Sequence, residues 1–131
     1  MNSFYRETAI KRNPICLFDL DGTLYPNANP YRDHVRHRVW SFMSEVLGIP
    51  EPVEPVWREI FTKYHQSEKG LRDSGYDFDI AEYWSYIRKD VQKFIGKNNE
   101  LRTTLKKLEN EGNCELYLFT NCRENEAQQC L

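Results

Sequence analysis

Two short apolar segments near opposite ends of the chain constrain its fold more than any other feature. They are Ile15–Phe18 and residues 116–119, and each is bounded by polar residues. Uninterrupted apolar runs of this length are typical of strands buried on both faces, as in a parallel sheet. Two parallel strands require a right-handed crossover, but the stretch between these two is much longer than one helix needs. We therefore expect an insertion within the crossover.

The intervening sequence has helical periodicity. The apolar spacing and the turn residues predict four helices: one from Pro30 to Gly48, one that follows Pro55, one opened by an Asp79–Glu82 capping box and continuing to Phe94, and one carrying Leu101, Leu105 and Leu108 and ending at Gly112. Ser74 to Asp77 is predicted as a turn. Asn121, with Glu124 three residues later, is predicted to open a last helix after the second strand.

The fold class that follows is α/β. We expect a partial Rossmann-like parallel sheet core, with a helical cap inserted between its first two strands. The predicted division assigns residues 1–26 and 98–131 to the core and residues 27–97 to the cap.

Composition excludes several classes of protein. The net charge is -2 and the pI is about 5.9, which argues against a dedicated nucleic-acid binder. The mean hydropathy is -0.76 and the chain lacks the roughly 20-residue apolar run of a membrane helix. Residues 1–14 lack the apolar core of a secretory signal. The four cysteines form no CxxC pair, so we expect reduced thiols and a cytoplasmic location.

Two acidic residues directly follow the first strand. Asp19 and Asp21 would share one side of a continued strand, at the carboxyl edge where open α/β sheets bind ligands. Two adjacent carboxylates repel each other unless a cation or a proton lies between them, and Mg²⁺ prefers such oxygen ligands. One carboxylate could then attack phosphorus while the other moves a proton.

Two structural alternatives apply to the same residues. Asp21-Gly22 between apolar runs also favours a hairpin, with Thr23 to Tyr25 as the returning strand. That alternative gives no reason for Asp19. An EF-hand loop is excluded because its sixth position would be Leu24 and its twelfth Pro30.

The second strand ends in Thr120-Asn121. A hydroxyl followed by the backbone N–H groups of a helix start is a suitable cradle for phosphate, although Thr-Asn is more often a simple helix cap. Other candidates are weaker. His34 and His37 are read as surface residues rather than metal ligands, and Cys122 is not expected to be a nucleophile.

These segments resemble a known family. Residues 18–25, Phe-Asp-Leu-Asp-Gly-Thr-Leu-Tyr, are similar to the first motif of haloacid dehalogenase-type phosphohydrolases, and residues 116–121 to the second. Residues 69–79 and the helix before the second motif resemble the pyrimidine 5'-nucleotidase-like branch. The resemblance covers nearly the whole chain from Pro14 onward.

The resemblance implies a role for each matching residue. Asp19 would be the nucleophile and a Mg²⁺ ligand, and Asp21 the general acid/base, which also contributes its backbone carbonyl to the metal. Thr120 and the backbone of Asn121 would hold the phosphoryl oxygens, and the cap would select the substrate. The expected activity is hydrolysis of small phosphate esters, with nucleoside 5'-monophosphates as the expected substrates and neither nucleic acid nor membrane as a partner.

The chain departs from the family pattern after the second motif. The ten residues that follow Asn121 contain neither the Lys of the third motif nor the Asp of the fourth. We therefore expect a chain truncated after the second motif. The alternative function is that of an inactive remnant, which acts as a binding or dimerising module or as an unstable fragment.

Overall fold

The computed structural model describes residues 12–131, so most of the segment examined for a secretory signal lies outside the described residues. The elements, in chain order, are β1 (Ile15–Phe18), α1 (Tyr31–Glu45), α2 (Glu54–Tyr64), α3 (Ser67–Asp73), α4 (Ile80–Ile87), a 3-10 turn (Val91–Phe94), α5 (Asn99–Asn110), β2 (Glu115–Leu118) and α6 (Glu124–Gln128).

The two strands form a parallel pair, which confirms the α/β class. Ile15 lies opposite Glu115 and Phe18 lies opposite Leu118. The Phe119 N–H extends the ladder by donating to the Phe18 carbonyl at 2.8 Å. In the described part of the chain the sheet has these two strands, so a Rossmann-like core and the division at residues 26 and 97 remain predictions.

The expected burial of both strand faces is wrong for the described residues. Ile15, Leu17, Tyr117 and Phe119 are between 50% and 75% exposed. No described element covers this face of the sheet.

Most of the predicted helices are present. Helix α1 ends shortly before Gly48, which has a φ of 67° and reverses the chain as the sequence indicates. Asp79 caps α4, because its Oδ1 accepts from the Glu82 N–H at 2.7 Å. The predicted extension of α4 to Phe94 is wrong: the helix ends at Ile87, and Asp90, at a φ of 66°, leads into the separate 3-10 turn.

Two details of the helical stretch differ from expectation. Helix α3, before the predicted turn, was not anticipated, because its seven residues are mostly polar and carry no apolar stripe. Helix α6 begins at Glu124 after Arg123, so Asn121 is not its cap. No helix within residues 12–131 is long and apolar enough to cross a bilayer.

The helices of the insertion have their own core. Phe42 lies at its centre, fully buried, with edge-to-face contacts to the rings of Phe78, Tyr83 and Tyr86 at 5.1 to 5.4 Å between centroids. Its other buried members are Val39, Met43, Ile49, Val53, Ile60, Leu71 and Ile87.

A second, smaller core joins the chain ends to the insertion. Its buried members are Leu20, Tyr25, Tyr31, Val91, Cys122 and Ala127. They come from the turn after β1, from the start of α1, from the 3-10 turn and from the segment after β2. This core therefore fixes the position of the first-motif turn against the helices.

We predict that Gly70→Ala destabilises the protein. This would be the reverse of the usual effect, because alanine is normally more favourable than glycine in a helix interior by about 1 kcal/mol. A Cβ atom at Gly70 would lie 2.3 Å from Cγ2 of the buried Ile60, so the expected loss in urea unfolding is about 1–2 kcal/mol. In an Ile60→Leu background, which lacks that methyl branch, the loss should be smaller. Gly96→Ala is the control, because space is open there. A Gly70→Ala protein more stable than the wild type would contradict this packing.

Candidate functional site

The parallel pairing brings the ends of both motifs to one edge of the sheet. Asp19 is one residue beyond the Phe18–Leu118 pair on β1, and Thr120 is two residues beyond it on β2. Asp19 is exposed, and its Oδ1 accepts from the Leu20 N–H at 2.8 Å. This edge therefore presents an accessible carboxylate next to the Thr120-Asn121 segment.

The turn after Asp19 is not a hairpin. Gly22 has a φ of 77°, and the Leu20 carbonyl accepts from the N–H groups of both Thr23 and Leu24. A single bridge joins Asp21 to Tyr25, without a returning strand. The hairpin alternative is wrong because Thr23 and Leu24 hydrogen-bond to the carbonyl of Leu20 instead of forming a second strand, and Leu20 is fully buried.

The Asp21 carboxylate is bound by an arginine of the helical insertion. Arg88, directly after α4, donates from Nη1 to Oδ1 at 2.9 Å and from Nη2 to Oδ2 at 2.6 Å. The hydroxyls of Tyr25 and Tyr31 also donate to Oδ1, the latter at 3.1 Å, and Nη1 of Arg88 donates to the Tyr31 oxygen. The result is a bidentate ion pair with two tyrosines around it.

This cluster is largely removed from solvent. The Arg88 side chain is 7% exposed and the Asp21 side chain 27%. Burial alone would raise the pKa of Asp21, but the hydrogen bonds from Arg88 and the tyrosines more than offset it and hold that pKa below 3.8. Burial raises the pKa of Tyr31 to about 12, although the hydrogen bond with Tyr25 and the charge of Arg88 oppose the shift. Burial, together with the hydrogen bond to Asp21, also raises the pKa of Tyr25. Asp21 is therefore a carboxylate and both tyrosines are neutral donors at neutral pH.

The second motif forms a short turn. Thr120 Oγ1 accepts from the Cys122 N–H at 3.1 Å, and Asn121 is exposed. Burial raises the pKa of the Cys122 thiol to about 11, so that residue is a thiol at neutral pH and a poor nucleophile. All four cysteines are free.

The described residues do not fit a Mg²⁺ ion held by both first-motif carboxylates. Both oxygens of Asp21 accept hydrogen bonds from the positively charged guanidinium of Arg88, so neither is free to bind a metal ion. Residues 12–131 hold no cluster of three or more His, Cys, Asp or Glu side chains that could bind a metal. His34 donates from Nε2 to the Lys89 carbonyl at 2.7 Å and stacks on Phe94. The requirement for Mg²⁺ remains a prediction from the family resemblance.

Sequence reasoning did not find Arg88. It is 67 positions from Asp21, and no local pattern distinguishes it from other arginines. Tyr25 offered a weak signal, because it follows Asp21 by four residues within the motif itself. The pairing is a consequence of the tertiary fold.

A cleft of about 550 Å³ opens beside this cluster. Asp21 and Arg88 line it together with Arg32 and Arg36 of α1, and the aromatic rings of Tyr31, Trp57 and Phe61 form much of its apolar wall. Volumes of this order suit small-molecule ligands. Three guanidinium groups against one carboxylate in the lining favour an anionic ligand.

No protein-family model matches the sequence. Phosphate metabolism protein 8 of Saccharomyces cerevisiae is similar: the two sequences are 28% identical over 123 residues, and the alignment covers 89% of this chain and 38% of that protein. The chain thus spans well under half of the relative's length. The haloacid dehalogenase type and its branch remain predictions from the two sequence motifs.

We predict that Asp21→Asn lowers the free energy of unfolding at pH 7 by about 3 kcal/mol, because it leaves Arg88 buried without a counter-charge. This is the lower end of the range for a broken buried pair, since Asp21 is 27% exposed. The pKa of Asp21 is lowered on folding, so its contribution is complete above the unfolded value near 3.8 and is lost as the pH falls through the folded value.

The stability difference between wild type and Asp21→Asn should therefore be constant from pH 7 to pH 5 and shrink below pH 3.8. Chemical denaturation across this pH range measures it. Asp77→Asn is the matched control, because Asp77 is exposed between α3 and α4. A difference that grows on acidification would show that the ion pair does not stabilise the fold.

Proposed function

We propose that this chain is a phosphomonoester hydrolase of the haloacid dehalogenase type. Its substrates would be nucleoside 5'-monophosphates or similar small phosphate esters, and Mg²⁺ its cofactor. The observation that carries the proposal is the parallel pairing of β1 and β2, because it places Asp19 and Thr120 at the same edge of the sheet. The similarity to a protein named for phosphate metabolism supports it.

In the proposed reaction, Asp19 is the nucleophile. A carboxylate oxygen of Asp19 forms a bond to phosphorus while the ester P–O bond breaks, and the leaving oxygen takes a proton. A water molecule then attacks phosphorus, releases inorganic phosphate and regenerates the carboxylate. The exposure of Asp19 supports this role, since a nucleophile in this position is accessible to substrate.

Asp21, Thr120 and Asn121 would assist this reaction. Asp21 is proposed as the acid/base, a role that requires its carboxylate to separate from Arg88 and to gain and release a proton. The Thr120 hydroxyl and the backbone N–H groups after it would hold the phosphoryl oxygens. Phosphoryl transfer depends mainly on such positioning and charge stabilisation.

A second candidate function is that of an inactive binding or dimerising module. Two observations favour it: the Asp21 carboxylate is held by Arg88, and one sheet face exposes Ile15, Leu17 and Phe119. In that case the chain would unfold cooperatively but hydrolyse no ester.

We predict that Asp19→Asn lowers hydrolysis of p-nitrophenyl phosphate in Mg²⁺ by roughly 10³-fold or more, because the substitution removes the attacking oxygen. Circular dichroism should show an unchanged fold, since the Asp19 side chain is exposed. Asp77→Asn is the control and should retain wild-type activity. Equal turnover by Asp19→Asn and wild type would exclude Asp19 as nucleophile, and a silent but folded wild type would support the binding module.

A requirement for Mg²⁺ is tested separately. We expect EDTA to abolish Asp19-dependent hydrolysis and added Mg²⁺ to restore it, because a divalent cation would offset the repulsion between Asp19 and the phosphate. Ca²⁺ at the same concentration serves as a control for ionic strength. Full activity in EDTA would remove the metal from the proposal.

A further inference from the structure

The three arginines of the cleft differ in how their charge is neutralised. Arg36 donates to Asp33 of its own helix at 2.5 Å. Arg32 is exposed at the start of α1. Arg88 is buried, and its counter-charge is the Asp21 carboxylate, which also lines the cleft. A ligand that reaches Arg88 therefore meets an ion pair rather than a free guanidinium.

The geometry of the Asp21–Arg88 ion pair would allow another anion to replace the Asp21 carboxylate. Asp21 occupies the end-on edge of the guanidinium, through Nη1 and Nη2, whereas the buried Nε of Arg88 has no hydrogen-bond partner within residues 12–131. Asp21 is the more exposed partner, at 27% against 7%. Carboxylate and phosphate both match the planar fork of arginine, so one anion can replace the other with the same donors.

We propose that Arg88 is an exchangeable ligand for phosphate: a phosphate group in the cleft replaces Asp21 on Nη1 and Nη2 of Arg88 and releases the Asp21 carboxylate. The catalytic consequence of this exchange rests on the proposed function, in which the released Asp21 carboxylate is the acid/base. Arg88 is then a positioning residue for Asp21 as well as a contact for substrate. No covalent bond changes in this step.

The exchange makes Asp21 a competitor of the ligand. Phosphate binds in proportion to the fraction of molecules in which Arg88 is free of Asp21, so the ion pair weakens the apparent affinity. Removal of the carboxylate should tighten phosphate binding, whereas loss of a residue that merely shapes the cleft would leave the affinity unchanged or weaken it.

The test is an isothermal calorimetric titration of the full chain with inorganic phosphate at pH 7 and constant ionic strength. We expect Asp21→Asn to bind phosphate at least tenfold more tightly than wild type and Arg88→Gln to lose saturable binding. Arg58→Gln is the matched control, because it removes the same charge from an exposed residue of α2, and should bind as wild type does.

A second measurement covers the case in which Asp21→Asn does not fold. In the wild type, the Nε–Hε NMR resonance of Arg88 should shift saturably with phosphate, and the fluorescence of Trp84, whose ring centroid is 5.5 Å from Cζ of Arg88, should change with the same midpoint. An unmoved Arg88 resonance at saturating phosphate would overturn the inference, as would equal or weaker binding by a folded Asp21→Asn.

These readouts do not depend on turnover. Phosphate exchange at Arg88 without any Asp19-dependent hydrolysis would contradict the proposed function and leave the exchange standing. Hydrolysis that depends on Asp19, together with phosphate binding that ignores Arg88 and Asp21, would contradict the exchange alone.

Discussion

The parallel pairing of β1 and β2 is the constraint on which the rest of this structure depends. The two strands lie near opposite ends of the described chain, so their pairing closes a long loop and carries an entropic cost. The helices between them offset that cost with a core of their own, centred on Phe42. Once the strands are paired, Asp19 and Thr120 lie at one edge of the sheet without any further specification in the sequence.

The ion pair between Asp21 and Arg88 links that edge to the helical insertion. A buried pair adds little net stability compared with apolar packing, but the loss of one partner is costly, so the pair makes the relative position of the two segments specific. Tyr25 and Tyr31 complete the hydrogen bonding of the carboxylate. The same contacts keep Asp21 ionised and bound to Arg88. In the proposed function, its release from Arg88 would be the step that separates a resting arrangement from a working one.

The sequence was informative where the determinants were local. The end of α1 near Gly48 and the Asp79 cap of α4 follow from turn and capping chemistry. The parallel pairing is not local; it is predicted from two short apolar runs, although the burial of both strand faces expected from those runs is wrong. The prediction that α4 extends to Phe94 is wrong because the left-handed backbone conformation of Asp90 interrupts the helix, although the apolar spacing continues past it. Arg88 could not be predicted as the partner of Asp21, since tertiary packing alone brings positions so far apart in sequence into contact.

Chemical trapping of the phosphorylated side chain would test the proposed role of Asp19 as nucleophile. The chain would be incubated with p-nitrophenyl phosphate and Mg²⁺, quenched, reduced with borohydride and analysed by peptide mass spectrometry, because this reduction converts an aspartyl phosphate into homoserine. The proposed mechanism predicts homoserine at position 19 and unmodified aspartate at position 21, and it predicts aspartate at both positions in the absence of the ester. Hydrolysis of the ester with aspartate intact at position 19, or homoserine at position 21 instead, would contradict it.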